Sequence, residues 1–172
     1  MVGKLEWGPA GGRPELLADP VAAAIGAVPG AEVAEIDPEL ADTAAFCERY
    51  DVPLDASANC VVVAAKRGGE VTYAACMILA TDRADVNGVV RKRLGARKAS
   101  FAPMAEATAL TGMEYGGITP VGLPEGWPIF VDEAVAAAPQ AVIGSGLRRS
   151  KILLPGKALA ALPGAEIIAL AL

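Results

Sequence analysis

Two apolar, β-rich runs joined by a tight turn constrain this chain more than any other feature. Asn59 to Ala65 reads Asn-Cys-Val-Val-Val-Ala-Ala, and Val71 to Ala80 follows it after Lys66-Arg67-Gly68-Gly69. β-Branched residues fit a pleated surface, and a Gly-Gly step lets the chain reverse on itself. The pair therefore reads as a hairpin whose strands are largely buried.

The remaining signals place helices among further strands. Asp19-Pro20 is suited to cap a short helix from Val21 to Ala27, and Ala31 to Ile36 reads as a strand. Asp37-Pro38 is a good helix start, with an acceptor side chain before a first-turn proline. That helix is expected to reach about Tyr50 and to bury Leu40, Ala44 and Cys47. Asp85 begins another, with Val86, Val89, Val90 and Leu94 on one stripe and Gly95 closing it. Ala99 to Phe101 reads as a strand and Pro103 to Thr111 as a helix ended by Gly112. Strands follow at Ile129–Asp132, Ala141–Ile143 and Ser150–Leu154, then a helix at Pro155–Leu162 and a last strand at Ala165–Ala169. Residues 1–19 hold turn signals and read as an N-terminal arm or irregular lead-in. The rest, 20–172, suits a single α+β (mixed α/β) domain around a central, mostly antiparallel mixed sheet.

Composition narrows the chemistry. The chain has no histidine, which excludes imidazole-based triads, the usual acid–base residue and His-containing metal sites. The three cysteines, Cys47, Cys60 and Cys76, are odd in number and widely spaced, against a disulfide framework or a zinc knuckle. No metal or cofactor is expected. No apolar run approaches the roughly 20 residues of a membrane span, and Met1 to Trp7 does not resemble a secretory signal, so a cytoplasmic location is expected.

Net charge is −5, which disfavours general nucleic-acid binding, yet the cations cluster. Arg91, Lys92, Arg93, Arg97 and Lys98 share one window, and Arg148, Arg149 and Lys151 another. Either these are solvated faces, or they form a local phosphate-binding patch.

The most informative loop is Tyr115-Gly116-Gly117-Ile118-Thr119-Pro120-Val121-Gly122. Such a loop can bring bare backbone N–H groups close to a carbonyl or an oxyanion. It is followed by Trp127-Pro128-Ile129-Phe130-Val131-Asp132-Glu133 and by Val142-Ile143-Gly144-Ser145-Gly146-Leu147-Arg148-Arg149 before the strand Ser150 to Leu154. In this order the segments resemble the editing domain inserted in bacterial prolyl-tRNA synthetases and its free-standing YbaK-like relatives, from roughly Pro38 to Ile168.

The resemblance implies a mixed, partly curled sheet with helices around a pocket. It also implies hydrolysis of a wrong amino acid from the 3′ end of a mischarged tRNA, with a small amino acid such as alanine, serine, threonine or cysteine as substrate. The catalytic group would be Gly116, Gly117, Ile118, Thr119 and Pro120, with backbone N–H donors around Gly116 to Thr119, and Asn59. Asp132 could attract the aminoacyl ammonium or orient a water, or simply cap the next turn. Gly144, Ser145 and Gly146 could admit the terminal adenosine, or merely join two strands. Arg148 and Arg149 would lie near acceptor-stem phosphates.

One position departs from the resemblance. Relatives carry a lysine just before the first hairpin strand, and Asn59 stands there. Asparagine can hydrogen-bond a carbonyl, phosphate or ribose but brings no charge. Two readings are open: a deacylase that edits in trans, alone or with an aminoacyl-tRNA synthetase, or a non-catalytic module that binds tRNA ends or an aminoacyl- or nucleotide-like ligand. Oligomeric state is open.

Overall fold

The computed structural model describes residues 2–172. In chain order the elements are β1 (Gly8–Pro9), α1 (Asp19–Ala24), β2 (Glu32–Glu35), α2 (Thr43–Tyr50), β3 (Ala58–Arg67) and β4 (Glu70–Leu79). Then come α3 (Arg91–Arg93), β5 (Lys98–Phe101), α4 (Met104–Thr111), β6 (Ile129–Asp132), α5 (Glu133–Ala137), β7 (Ala141–Gly144), β8 (Ser150–Leu154), α6 (Gly156–Ala160) and β9 (Ala165–Ile168).

The hairpin is the longest feature. β3 and β4 pair antiparallel from Ala58↔Leu79 to Arg67↔Glu70. Gly68 and Gly69 turn it with φ of +58° and +86°, the sign a two-residue hairpin turn of this kind requires. β5 adds antiparallel to β3, β6 parallel to β4, and β9 parallel to β6, giving a five-stranded sheet in the order β5-β3-β4-β6-β9. The other strands form a four-stranded antiparallel sheet, β1-β2-β8-β7. The α+β class and the predominance of antiparallel pairing agree with the sequence reading.

The partly curled single sheet does not. β8 pairs with β2 on one side and β7 on the other, so this hairpin builds its own sheet instead of extending β3–β4. The two sheets are linked by the parallel bridge Ser57↔Val142.

Burial explains the unbroken apolar runs. On β4, Ala75, Met77 and Leu79 join a central cluster shared by both sheets, while Ala74, Cys76 and Ile78 pack under Val86 and Val90. A strand covered on both faces has no polar face to alternate with. On β8, Ile152 and Leu154 enter the central cluster, whereas Leu153 packs on the other face against Phe46 and Cys47 of α2. Phe46 is 1% exposed, and its truncation to alanine is expected to cost about 3–5 kcal/mol.

The local structure departs from the sequence reading in three places. The helix expected from Asp37 to Tyr50 is broken. Asp37 does cap Pro38–Leu40, its carboxylate accepting from Glu39 N at 3.0 Å, but that turn is a 3-10 turn and α2 starts afresh at Thr43. The bend at Ala41–Asp42 rotates the buried stripe to Ala41, Phe46 and Cys47, leaving Ala44 exposed and Leu40 only half-buried. The helix expected after Asp85 opens as a π turn, Val86–Val90, running into α3. The lead-in is irregular but packed: β1 pairs with β2, and Ala10, Leu16 and Leu17 are buried.

Candidate active site

A cleft of about 420 Å³ opens where the sheets part beside the Ser57↔Val142 bridge. Ser57 to Val61 form one wall, and Val142 to Gly144 with Lys151 form another. The bend Ala41–Thr43 and the loop residues Tyr115, Gly116 and Ile118 complete it.

The loop is held there by the β7–β8 hairpin. Gly146 N donates to Gly117 O at 2.6 Å, and Glu114 N donates to Gly146 O at 2.8 Å. A Cβ on Gly144 would lie 2.5 Å from Gly117 O and 2.7 Å from Ile118 O, and one on Gly117 would lie 2.8 Å from the Leu147 carbonyl carbon. Backbone therefore meets backbone with no room for side chains, which is why glycine occupies both positions.

This packing sorts the loop's donors. Gly117 N donates to Glu114 O at 3.0 Å and Thr119 N to Met113 Sδ at 3.4 Å, while Pro120 has no N–H. Gly116 and Ile118 N–H make no hydrogen bond among the described residues, and these two residues line the cleft. Free amides beside a pocket are the donors an oxyanion can use. The donor set expected from Gly116 to Thr119 thus reduces to two.

Asn59 lies across the cleft, and its Oδ1 accepts from Thr43 Oγ1 at 2.8 Å. That leaves its amide hydrogens available. Lys151 is 8% exposed. Its Nζ donates to Ala41 O at 3.0 Å and stands 5.1 Å from the centre of the Phe46 ring. Burial pushes its pKa down from 10.5 to about 8. Arg148 pushes the same way, whereas Cys47 and Asp42 oppose. Burial raises the Cys47 thiol in turn.

Several residues singled out from sequence stand elsewhere. Thr119 is fully buried, and its hydroxyl has no partner among the described residues. Pro120 lines a separate apolar groove of about 790 Å³. Asp132 is 2% exposed and lies outside the cleft. Its carboxylate caps α5 through Ala134 N at 3.2 Å and clasps Leu170 N and Ala171 N at 2.8 and 3.1 Å. Ser145 is also fully buried, with Oγ 2.6 Å from Ser150 Oγ and 3.1 Å from Leu147 O. It stiffens the hairpin behind the cleft.

The two basic windows divide. Lys151 belongs to the cleft. Arg148 bridges the cleft mouth, donating from Nη1 to Tyr115 O at 3.1 Å and from Nε to Pro38 O at 3.2 Å, with Asp42 Oδ1 at 3.5 Å. Arg149 donates to Glu15 O. Arg93 pairs with Glu166, Arg91 donates to Asn87 O at 2.8 Å, and Lys92 is exposed. Arg97 and Lys98 meet Lys66 and Arg67 at the far end of β3, around a basic hollow of about 540 Å³.

Sequence reasoning did not assign roles to Thr43 and Tyr115, and it put Lys151 on the surface. Tyr115 is 53% exposed at the cleft mouth. The signal for Lys151 was the strand Ser-Lys-Ile-Leu-Leu itself, a lone cation in an apolar run that must share a face with Leu153.

Comparison with known proteins bears on this arrangement. No curated protein matches the chain. A crystal structure of a protein assigned as a trans-editing enzyme for prolyl tRNA synthetase aligns with TM-score 0.76 and 22% identity, covering 90% of this chain and 96% of that one. The crystal structure of hypothetical protein APE2540 aligns with TM-score 0.78 and 19% identity, covering 89% and 99%. At these identities the likeness is one of fold. No helix among the described residues is long and apolar enough to cross a membrane. The family model for the aminoacyl-tRNA editing domain matches residues 37–162, which hold all of the cleft's lining, and the chain belongs to that family.

Proposed function

We propose that this protein is a deacylase acting in trans on mischarged tRNA, hydrolysing the ester between a small amino acid and the 3′-terminal ribose. The observation that carries the reading is the pair of amides, Gly116 and Ile118, unpaired among the described residues and lining one cleft with Asn59 between the two sheets. In the reaction a water oxygen attacks the ester carbonyl carbon, and the carbonyl electrons move onto oxygen. Collapse of this tetrahedral species breaks the bond to the ribose oxygen, which takes a proton. A free amino acid and a 3′-hydroxyl leave. The ester is already activated, so positioning and oxyanion stabilisation are the main demands, and neither needs histidine.

Asn59, held by Thr43, orients the attacking water or the ester carbonyl. Tyr115 offers a face on which the terminal adenine can stack, worth about 1–3 kcal/mol. Arg97 and Lys98, with Lys66 and Arg67, contact tRNA phosphates. A partner synthetase would deliver the substrate.

The test is a deacylation screen with tRNAs charged with alanine, serine, threonine or cysteine. Hydrolysis of at least one, lost in Gly117→Val and lowered in Asn59→Ala, is the expected result. Binding of tRNA with no hydrolysis of any substrate would overturn it in favour of a binding module.

A further inference from the structure

The cleft contains one buried ammonium with no carboxylate bonded to it. Lys151 has no salt bridge among the described residues, and the nearby Asp42 carboxylate instead lies 3.5 Å from Arg148 Nη1. Keeping an unpaired cation out of water is costly and is tolerated where a ligand or a dipole compensates. The Ala41 carbonyl and the Phe46 ring compensate in part.

Its placement is informative. Lys151 stands directly opposite Gly144 in the β7–β8 ladder, so the two project to the same face. Gly144 has no side chain, and its Cβ direction points at the Gly117 and Ile118 carbonyls. Lys151 therefore lies on the face over which the loop passes, and it lines the same cleft as Asn59 and the two free amides. The other ionisable groups around it are Cys47 on α2, Asp42 at the bend, Arg148 after β7, and Cys60 and Tyr115 on the cleft walls.

We infer that Lys151 is the positive charge of this site, receiving an anionic oxygen of the ligand, and that β8 supplies the cation that position 59 lacks. This deepens the deacylase reading and rests on it. Two anionic oxygens can meet the ammonium: the tetrahedral oxyanion of the ester, or a phosphate of the terminal nucleotide. Because the amine loses its proton near pH 8, the site is charged at neutral pH and discharged in mild alkali.

Lys151→Met, Lys151→Arg and the double variant Lys151→Met/Asn59→Lys test this against wild type. Each is assayed for hydrolysis of mischarged tRNA from pH 6 to 10, and for binding of a non-hydrolysable amide analogue of the charged terminal nucleotide. The expected result is that Lys151→Met falls about a hundredfold or more, as for loss of one oxyanion donor. A fall in kcat with KM kept assigns the oxyanion, and a rise in KM with weaker analogue binding assigns the phosphate. Wild-type activity declines above about pH 8, and Lys151→Arg moves that limb upward. Recovery in the double variant confirms that charge at this point is what matters.

Wild-type rates, analogue affinity and pH profile in Lys151→Met would overturn the inference and leave the deacylase intact. A wild type that hydrolyses nothing, yet binds the analogue in a Lys151-dependent way, would sink the deacylase reading and keep the cation assignment. Should Lys151→Met not fold, the Lys151→Arg limb decides: an unmoved alkaline limb overturns the inference.

Discussion

Gly144 and Gly117 touch through backbone alone: a Cβ on the first would lie 2.5 Å from the carbonyl oxygen of the second. This contact ties the loop carrying Gly116 and Ile118 to the edge of the four-stranded sheet. Its rigidity comes from the absence of side chains.

Gly144→Ala is therefore expected to push the loop outward. Overpacking of this kind costs about 1–3 kcal/mol, so the melting temperature should drop by several degrees, at roughly 2–4 °C per kcal/mol for a chain of this size. Displacing the two amides should lower deacylation by about a hundredfold. A melt and a rate both equal to wild type would show that the loop is not held this way.

Asp132 makes a contrasting case. Its carboxylate is spent on Ala134 N, Leu170 N and Ala171 N, away from the cleft. Asp132→Ala strands those donors and should destabilise the protein by about 2–5 kcal/mol. In the temperature range where the variant stays folded, kcat/KM should remain within about twofold of wild type. A large loss of kcat/KM in a variant with normal stability would return Asp132 to the site.

What the sequence made legible was whatever depends on local pattern. The β3–β4 hairpin, the strands Ile129–Asp132 and Ser150–Leu154, and the Gly112 end of α4 arise from apolar runs and turn residues. The glycine loop and the Gly-Ser-Gly segment were visible as special backbone. Hidden was which sheet each strand joins, because β8 pairs with β2 across more than a hundred residues and no local signal encodes that partner. The Ser57↔Val142 bridge, equally non-local, joins the two sheets where Lys151 shares one cleft with Asn59, a residue far from it along the chain. The sequence left Asp132 and Ser145 open between a ligand role and a structural one for a related reason: a polar residue at a strand end is equally suited to a ligand and to distant backbone donors. Only the fold says which it meets.

The basic residues separate by salt dependence. Lys66, Arg67, Arg97 and Lys98 share a hollow and form no salt bridge among the described residues, although Glu70 stands opposite Arg67 on β4. Arg93, by contrast, is engaged with Glu166. Each phosphate contact contributes about 0.7–0.9 to the slope of log affinity against log salt. Lys66→Ala/Arg97→Ala should then lower the slope for tRNA binding by about 1.5, while Arg93→Ala leaves it unchanged. Equal slopes in wild type and the double variant would move the tRNA contact off this hollow.

Stability against pH gives an independent view of Lys151. Its folded pKa, about 8, lies below the ordinary 10.5, so between these values the unfolded chain binds the extra proton. Stability contributed by this group therefore rises with pH across that window. Burial raises all three thiols above their ordinary 9.0, so they hold protons longer in the folded state and subtract stability as pH climbs through 9. Those opposing contributions are shared with Lys151→Met and largely cancel in the difference. Wild type should gain about 1 kcal/mol relative to Lys151→Met between pH 7 and 9, read from urea unfolding at each pH. A difference that stays flat over that interval would mean that Lys151 keeps its ordinary pKa, and that the amine is in water rather than behind Phe46.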